Sequence, residues 1–138
     1  MILLDTDLLT LLFQGHAGVR ARLHLVEEDV ATTIIKRIEV LQGRFDAILK
    51  AANADQLRRA HRRLLDSESQ LLTLPIMPID ESMAQQFEQL LRNKKLRKIG
   101  RGDLLIASIV LAKEATLATR NLRDFQQVPG LKAVNWAD

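Results

Sequence analysis

From Leu104 to Ala112 the chain reads LLIASIVLA, with Ser108 its only polar side chain. A helix that is apolar on every side has to be buried, so this segment must run through the interior of the fold. An acid, Asp103, stands at its head. Glu114-Ala115-Thr116 breaks the run, Leu117-Ala118-Thr119 reads as a short inner strand, and Arg120 to Phe125 reads as the turn at its end. One carboxylate therefore begins a buried helix and a second, Asp124, lies just past a buried strand. Open α/β sheets bind ligands at the carboxyl ends of their strands, so both acids fall near such an edge.

The rest of the chain supplies the sheet. Ile2 to Leu4 is an apolar triplet suited to a central parallel strand, and Asp5-Thr6-Asp7 reads as a turn into the helix LLTLLF, which Gly15 closes. Ala17 to Val26 reads as a second short helix. Val30 to Ile35 is rich in β-branched residues and reads as the second strand. From about Arg37 the period becomes helical, with Ile38, Leu41, Phe45, Ile48 or Leu49 and Ala52 in one stripe and Glu39 in the first turn. Asp55 to about Thr73 reads as a long helix with a basic outer face. Prolines at both ends make Pro75 to Pro78 extended, a short strand near an edge. Asp80 caps the next helix, Lys94 to Gly102 is a basic loop, and Lys132 to Trp136 is a last strand. Strands and helices alternate throughout, which argues an α/β fold with a short, mainly parallel central sheet flanked by helices. With 138 residues and no repeat or linker, one domain over 1–138 is expected.

Composition narrows the function. There is no cysteine, which removes disulfides and thiolate metal sites and is compatible with a reducing cytosol. Asp5 and Asp7 interrupt the apolar N-terminus, unlike a signal peptide, and no uncharged apolar run reaches the roughly 20 residues of a membrane helix. A cytoplasmic protein with no membrane contact is expected. The formal charge of +3 favours a polyanionic partner only mildly, but its distribution is uneven. Arg58, Arg59, Arg62 and Arg63 form one cluster, and Arg92, Lys94, Lys95, Arg97, Lys98 and Arg101 form another that leads into Asp103. The first suits a solvated helix face as well as a binding surface. The second suits phosphate tracking. No Tyr, one Trp and four Phe make base stacking a poor recognition mode.

Four acids, Asp5, Glu39, Asp103 and Asp124, can be argued into one crevice. Each has an ordinary alternative: Asp5 closes a turn, Glu39 complements a helix dipole, Asp103 caps its helix and Asp124 caps a terminal turn. Together they describe several carboxylates at a buried edge, which repel one another unless a cation neutralises them. Oxygen-only ligation selects a hard ion, Mg²⁺ or Mn²⁺. The three histidines, His16, His24 and His61, lie outside these segments, which disfavours zinc. A multi-carboxylate site of this kind points to phosphoryl chemistry by metal-activated water. Thr6 and Thr119 can orient carboxylates or waters; Asn121 suits that role and a turn equally.

At these residues, MILLDTDLL, TTIIKRIEVLQG and GDLLIASIVLAKEATLATRNLRDF resemble the PIN-domain ribonucleases, and among them the toxin half of VapBC-type toxin–antitoxin pairs. The resemblance runs from Met1 to the closing VPGLKAVNW. It implies a three-layer PIN-like fold with catalytic, metal-binding acids at Asp5, Glu39, Asp103 and Asp124, and a supporting hydroxyl and amide set at Thr6, Thr119 and Asn121. It further implies a Mg²⁺- or Mn²⁺-dependent endoribonuclease that inhibits translation, forms a homodimer and is neutralised by a small cognate antitoxin. Lys36, Lys98, Arg101 and Arg120 are the candidate RNA contacts. Two positions depart from the pattern: Asp7, where relatives commonly carry Asn, and Lys36, where a small or hydroxyl residue is usual. Lys36 is placed to pair with Glu39 or to contact RNA.

Two other readings compete. Asp5-x-Asp7 after an apolar strand also suits a haloacid-dehalogenase-type phosphohydrolase with Asp5 as nucleophile and Asp7 as acid/base. That reading wants a small or β-branched residue where Leu9 stands and a second acid soon after Asp103, which Leu104 to Leu111 does not supply. A non-catalytic RNA-binding protein with a decayed site is the other, and the presence of all four carboxylates counts against it.

Overall fold

The computed structural model describes residues 1–138. In chain order it comprises β1 (Ile2–Leu4), α1 (Thr6–Phe13), α2 (Ala17–Leu25), β2 (Val30–Thr33), α3 (Ile34–Leu49), α4 (Ala54–Leu71) and β3 (Ile76–Met77). There follow α5 (Glu81–Arg92), a 3₁₀ turn (Lys94–Leu96), α6 (Arg101–Ala112), β4 (Thr116–Ala118), α7 (Leu122–Phe125) and β5 (Lys132–Val134). The five strands form one parallel sheet in the order β3-β2-β1-β4-β5. β1 is central: Leu3 lies opposite Ala31 of β2 on one side and Leu117 of β4 on the other.

Strand alternation divides the core in two. Leu3, Ala31 and Leu117 face a layer built by α5, α6 and Phe125, with Ile106, Ile109 and Val110 of α6 fully enclosed. Ile2, Leu4 and Ala118 face the other way, onto Leu8 and Leu9 of α1, Val19 of α2 and Trp136. Each fully buried Leu or Ile contributes about 1.5–3 kcal/mol by leaving water, so the two clusters carry the three-layer sandwich. The buried polar groups inside it are satisfied: Ser108 Oγ donates to the Leu104 carbonyl at 2.7 Å and Thr32 Oγ1 to the Leu4 carbonyl at 2.8 Å. No helix is long and apolar enough to cross a membrane.

Several boundaries differ from the sequence reading, and the differences matter at the sheet edge. Asp5-Thr6-Asp7 is not a turn; α1 starts at Thr6 directly after Asp5. β2 stops at Thr33, and Ile34-Ile35 open α3, because the Thr33 hydroxyl caps the Lys36 N–H at 3.2 Å. Local capping thus outweighs the β preference of two isoleucines. Glu39 consequently lies in the second turn of α3, beyond the dipole position. Arg120 to Phe125 is helical from Leu122, and the expected basic loop, Lys94 to Gly102, contains the 3₁₀ turn and the first two residues of α6. The α3 stripe is not core: Ile38 and Phe45 are each 53% exposed and Leu49 67%.

Candidate functional site

β1 and β2 progress to one side of the sheet, and β4 and β5 to the other, so the chain changes direction between β1 and β4. At such a switch point the connections leave in opposite directions and open a crevice beyond the strand ends. Asp5 ends β1 and Thr119 ends β4, facing each other across that opening. Asp5 is almost fully buried, and its backbone N–H still donates to the Ala118 carbonyl at 3.0 Å. One carboxylate oxygen, Oδ1, accepts from the Thr6 N–H at 2.8 Å; the other, Oδ2, accepts from Thr119 Oγ1 at 2.6 Å. Thr119 Oγ1 in turn accepts from the Asn121 N–H at 3.0 Å, and Asn121 Nδ2 donates to Asp124 Oδ2 at 3.2 Å. A single relay, Asp5–Thr119–Asn121–Asp124, therefore ties the end of β1 to α7. Thr119 and Asn121 thus each bond one of the candidate carboxylates.

Lys36 enters this group from α3. It is only 7% exposed, with Nζ 3.0 Å from Asp5 Oδ1 and 2.8 Å from Glu39 Oε2. Of the two roles open to it from the sequence, pairing with Glu39 is the one observed, and the added bond to Asp5 was not anticipated. Burial alone pulls the Lys36 ammonium down in pKa. The hydrogen bonds and charges of Glu39 and Asp5 outweigh that and hold it above the ordinary lysine value. It is a fixed positive charge.

Asp103 is in the first turn of α6 but does not cap it; Gly100 occupies the cap position and no side chain bonds the helix end. The capping alternative for Asp103 is thus removed. Burial raises its carboxyl pKa, Lys36 opposes the rise, and Asp5, Glu39 and Asp124 add to it by like-charge repulsion. The other three acids are therefore all within electrostatic reach of Asp103, and Lys36 is the sole cation ion-paired to any of the four. A Cβ at Gly102 would lie 3.0 Å from Glu39 Oε1, so a glycine next to Asp103 is what lets Glu39 approach α6. The sequence reading passed over Gly102 in this role; its only signal was a small residue directly before the acid.

The donor set suits a hard divalent ion: carboxylate oxygens with excess negative charge and no sulfur or imidazole. Thr6 Oγ1, beside Asp5, is the one buried side-chain polar atom in the chain lacking a hydrogen-bond partner, so this edge has an unused oxygen as well. As the side chains stand, no three acids share a point from which to ligate one ion, and Lys36 bridges Asp5 and Glu39. Asp7 is exposed, away from the interior position an acid/base partner of Asp5 would need. Of the other candidate cations, Lys98, Arg101 and Arg120 are exposed, and Arg101 also lies over the Phe87 ring at 5.9 Å from its centroid.

A parallel sheet with a carboxylate crevice at the β1/β4 switch defines a class of α/β proteins with an acidic sheet-edge site. The family profile of the PIN domain matches residues 2–131, and the chain belongs to that family, which displaces the haloacid-dehalogenase reading. Among curated proteins, Ribonuclease VapC2 of Rickettsia felis is 50% identical over 38 residues, a stretch that spans 28% of this chain and 28% of that relative. Among solved structures, VapBC2 from Rickettsia felis bound to a DNA fragment from its promoter superposes with a TM-score of 0.78 at 25% identity, covering 99% of both chains. FitAcB from Neisseria gonorrhoeae gives a TM-score of 0.74 at 28% identity, over 99% of this chain and 98% of that one. The DNA-bound VapBC of Salmonella typhimurium gives 0.80 at 22% identity over 98% and 97%, a likeness of fold.

Proposed function

We propose that this chain is a Mg²⁺- or Mn²⁺-dependent endoribonuclease, the toxin of a VapBC-type pair, acting on RNA to inhibit translation. The observation that supports the reading is the edge of a PIN-domain sheet where the charges of Asp5, Glu39 and Asp124 all act on Asp103. Asp5, Asp103, Asp124 and Glu39 would hold the ion, which when bound supplies an activated water and neutralises charge on the scissile phosphate. Thr119 fixes the Asp5 carboxylate and Asn121 fixes Asp124, so neither has to be ordered during reaction. The exposed Lys98, Arg101 and Arg120 are suited to the phosphates on either side of the cut. Few aromatic residues and a backbone-directed set of cations match recognition by shape rather than by base stacking.

A protein partner is part of the reading. The VapBC relatives support a small antitoxin, and the apolar residues left exposed on α3 and α4, Ile38, Phe45, Leu49, Leu57 and Leu65, suit coverage by an antitoxin or a second copy. We take the chain to fold as one domain and to act in the cytoplasm as a homodimer.

The test is cleavage of cellular RNA by the purified chain in Mg²⁺, Mn²⁺ or EDTA, beside Asp5→Asn and Asp103→Asn. Cleavage is expected only with metal and is lost in both variants. Cleavage that persists in both would remove the acids from catalysis. Metal-dependent binding without cleavage of any cellular RNA would favour the non-catalytic reading.

A further inference from the structure

Lys36 has no counterpart in an ordinary oxygen-ligand site. A lysine rarely sits this deep unless paired, because its ammonium loses its water. Here two acids of the candidate metal set accept from it at once, Asp5 Oδ1 at 3.0 Å and Glu39 Oε2 at 2.8 Å. The capped first turn of α3 holds its backbone, and Glu39 follows one turn later on the same helix face. The ammonium is thus built into the site by the same helix that supplies one of its acids. It bridges two carboxylates of different elements, which is what a divalent ion between them would do. Asp103 and Asp124 receive no such cation.

We infer that the Lys36 ammonium is a tethered cation that clamps Asp5 to Glu39 in place of a second divalent ion, so the site takes one Mg²⁺ or Mn²⁺ per chain. The inference rests on the metal-dependent reading above and specifies its stoichiometry. The ion would then be held by Asp5, Asp103 and Asp124, and Glu39, one of the four acids of the reading above, would serve as the lysine's partner instead of a ligand. A four-carboxylate site without the lysine has the charge to take two ions, one for the attacking and one for the leaving oxygen. With it, one of the two cations is an ammonium, whose charge is single and whose position is set by the chain.

The experiment is Mn²⁺ binding to the full purified chain, read as free Mn²⁺ by electron paramagnetic resonance, with thermal unfolding with and without Mn²⁺ as a second readout. Wild type is expected to bind one ion per chain, Lys36→Arg also one, and Lys36→Ala two, with a larger metal-induced rise in Tm for Lys36→Ala than for wild type. Two ions in wild type overturn the inference while leaving the metal-dependent reading intact. So does a single, tighter ion in Lys36→Ala, which would mean that metal and lysine compete for one place. If Lys36→Ala is unfolded without metal, the wild-type and Lys36→Arg stoichiometries still decide, two ions in either being fatal to the inference. No binding to any form overturns both the inference and the metal-dependent reading.

Discussion

Replacing Thr119 with valine removes one oxygen from a fully buried position and changes little else in shape. That oxygen donates to Asp5 Oδ2 at 2.6 Å and accepts from the Asn121 N–H at 3.0 Å. A hydrogen bond to a charged group contributes about 1.5–3 kcal/mol, and leaving the partly buried Asn121 N–H without an acceptor costs about 1 kcal/mol more. The extra buried methyl of valine offsets about 0.8 kcal/mol. The expected net loss is about 2–3 kcal/mol. In a chain of 138 residues that lowers Tm on the order of 10 °C. Thr119→Ser is the control: it keeps the hydroxyl and loses only a methyl, worth about 1 kcal/mol. Urea unfolding of the three proteins in EDTA measures the difference without any contribution from bound metal. The reasoning is refuted if serine destabilises as much as valine, or if valine stays within about 0.5 kcal/mol of wild type, the ordinary scatter for substitutions away from such features.

Gly102→Ala separates stability from function. Its Cβ would sit 3.0 Å from Glu39 Oε1, and the flexible glutamate gives way while the first turn of α6 gains a better helix former. Expected are an unchanged or slightly raised urea midpoint and a loss of RNA cleavage on the order of tenfold or more, as follows from small displacements of positioned groups. Full activity would show that the Glu39 position is not demanding. Asp103→Asn tests the electrostatics of the metal-free site. Burial, reinforced by the neighbouring acids, holds the Asp103 pKa above its unfolded value, so its contribution to stability is fully present below the unfolded pKa and is lost as pH rises through the folded one. In EDTA, wild type should therefore lose stability relative to Asp103→Asn as pH rises across that window, and Mg²⁺ should restore it in wild type only. A difference between the two proteins that does not change with pH would sink this account.

How far the sequence reached depended on whether the governing interaction was local. The burial of α6 followed from nine residues with one hydroxyl among them, because nothing but a protein interior accepts such a helix. The parallel α/β class followed from alternation, and three of the four acids drew notice at the ends of apolar segments, Asp5 and Asp124 after strands and Asp103 before a helix. The β2–α3 boundary was misplaced because Ile34 and Ile35 favour strands, while the Thr33 cap that starts the helix earlier depends on a single side-chain rotamer. The α3 stripe was legible as a face, but periodicity does not say what covers it, and Ile38, Phe45 and Leu49 stand in water.

The sequence by itself determined the alternating α/β class, the burial of α6 and the residue types able to form a hard-ion site, since these rest on hydropathy and side-chain chemistry over short spans. Only the tertiary structure decided that β1 lies between β2 and β4, and hence that Asp5 meets Thr119 more than a hundred residues away. It also decided that Lys36 points inward to bridge Asp5 and Glu39, and that Gly102 makes room for Glu39. Strand order and side-chain direction arise from packing among distant segments, and no local pattern in the chain encodes a contact whose partners are brought together only by the finished sheet.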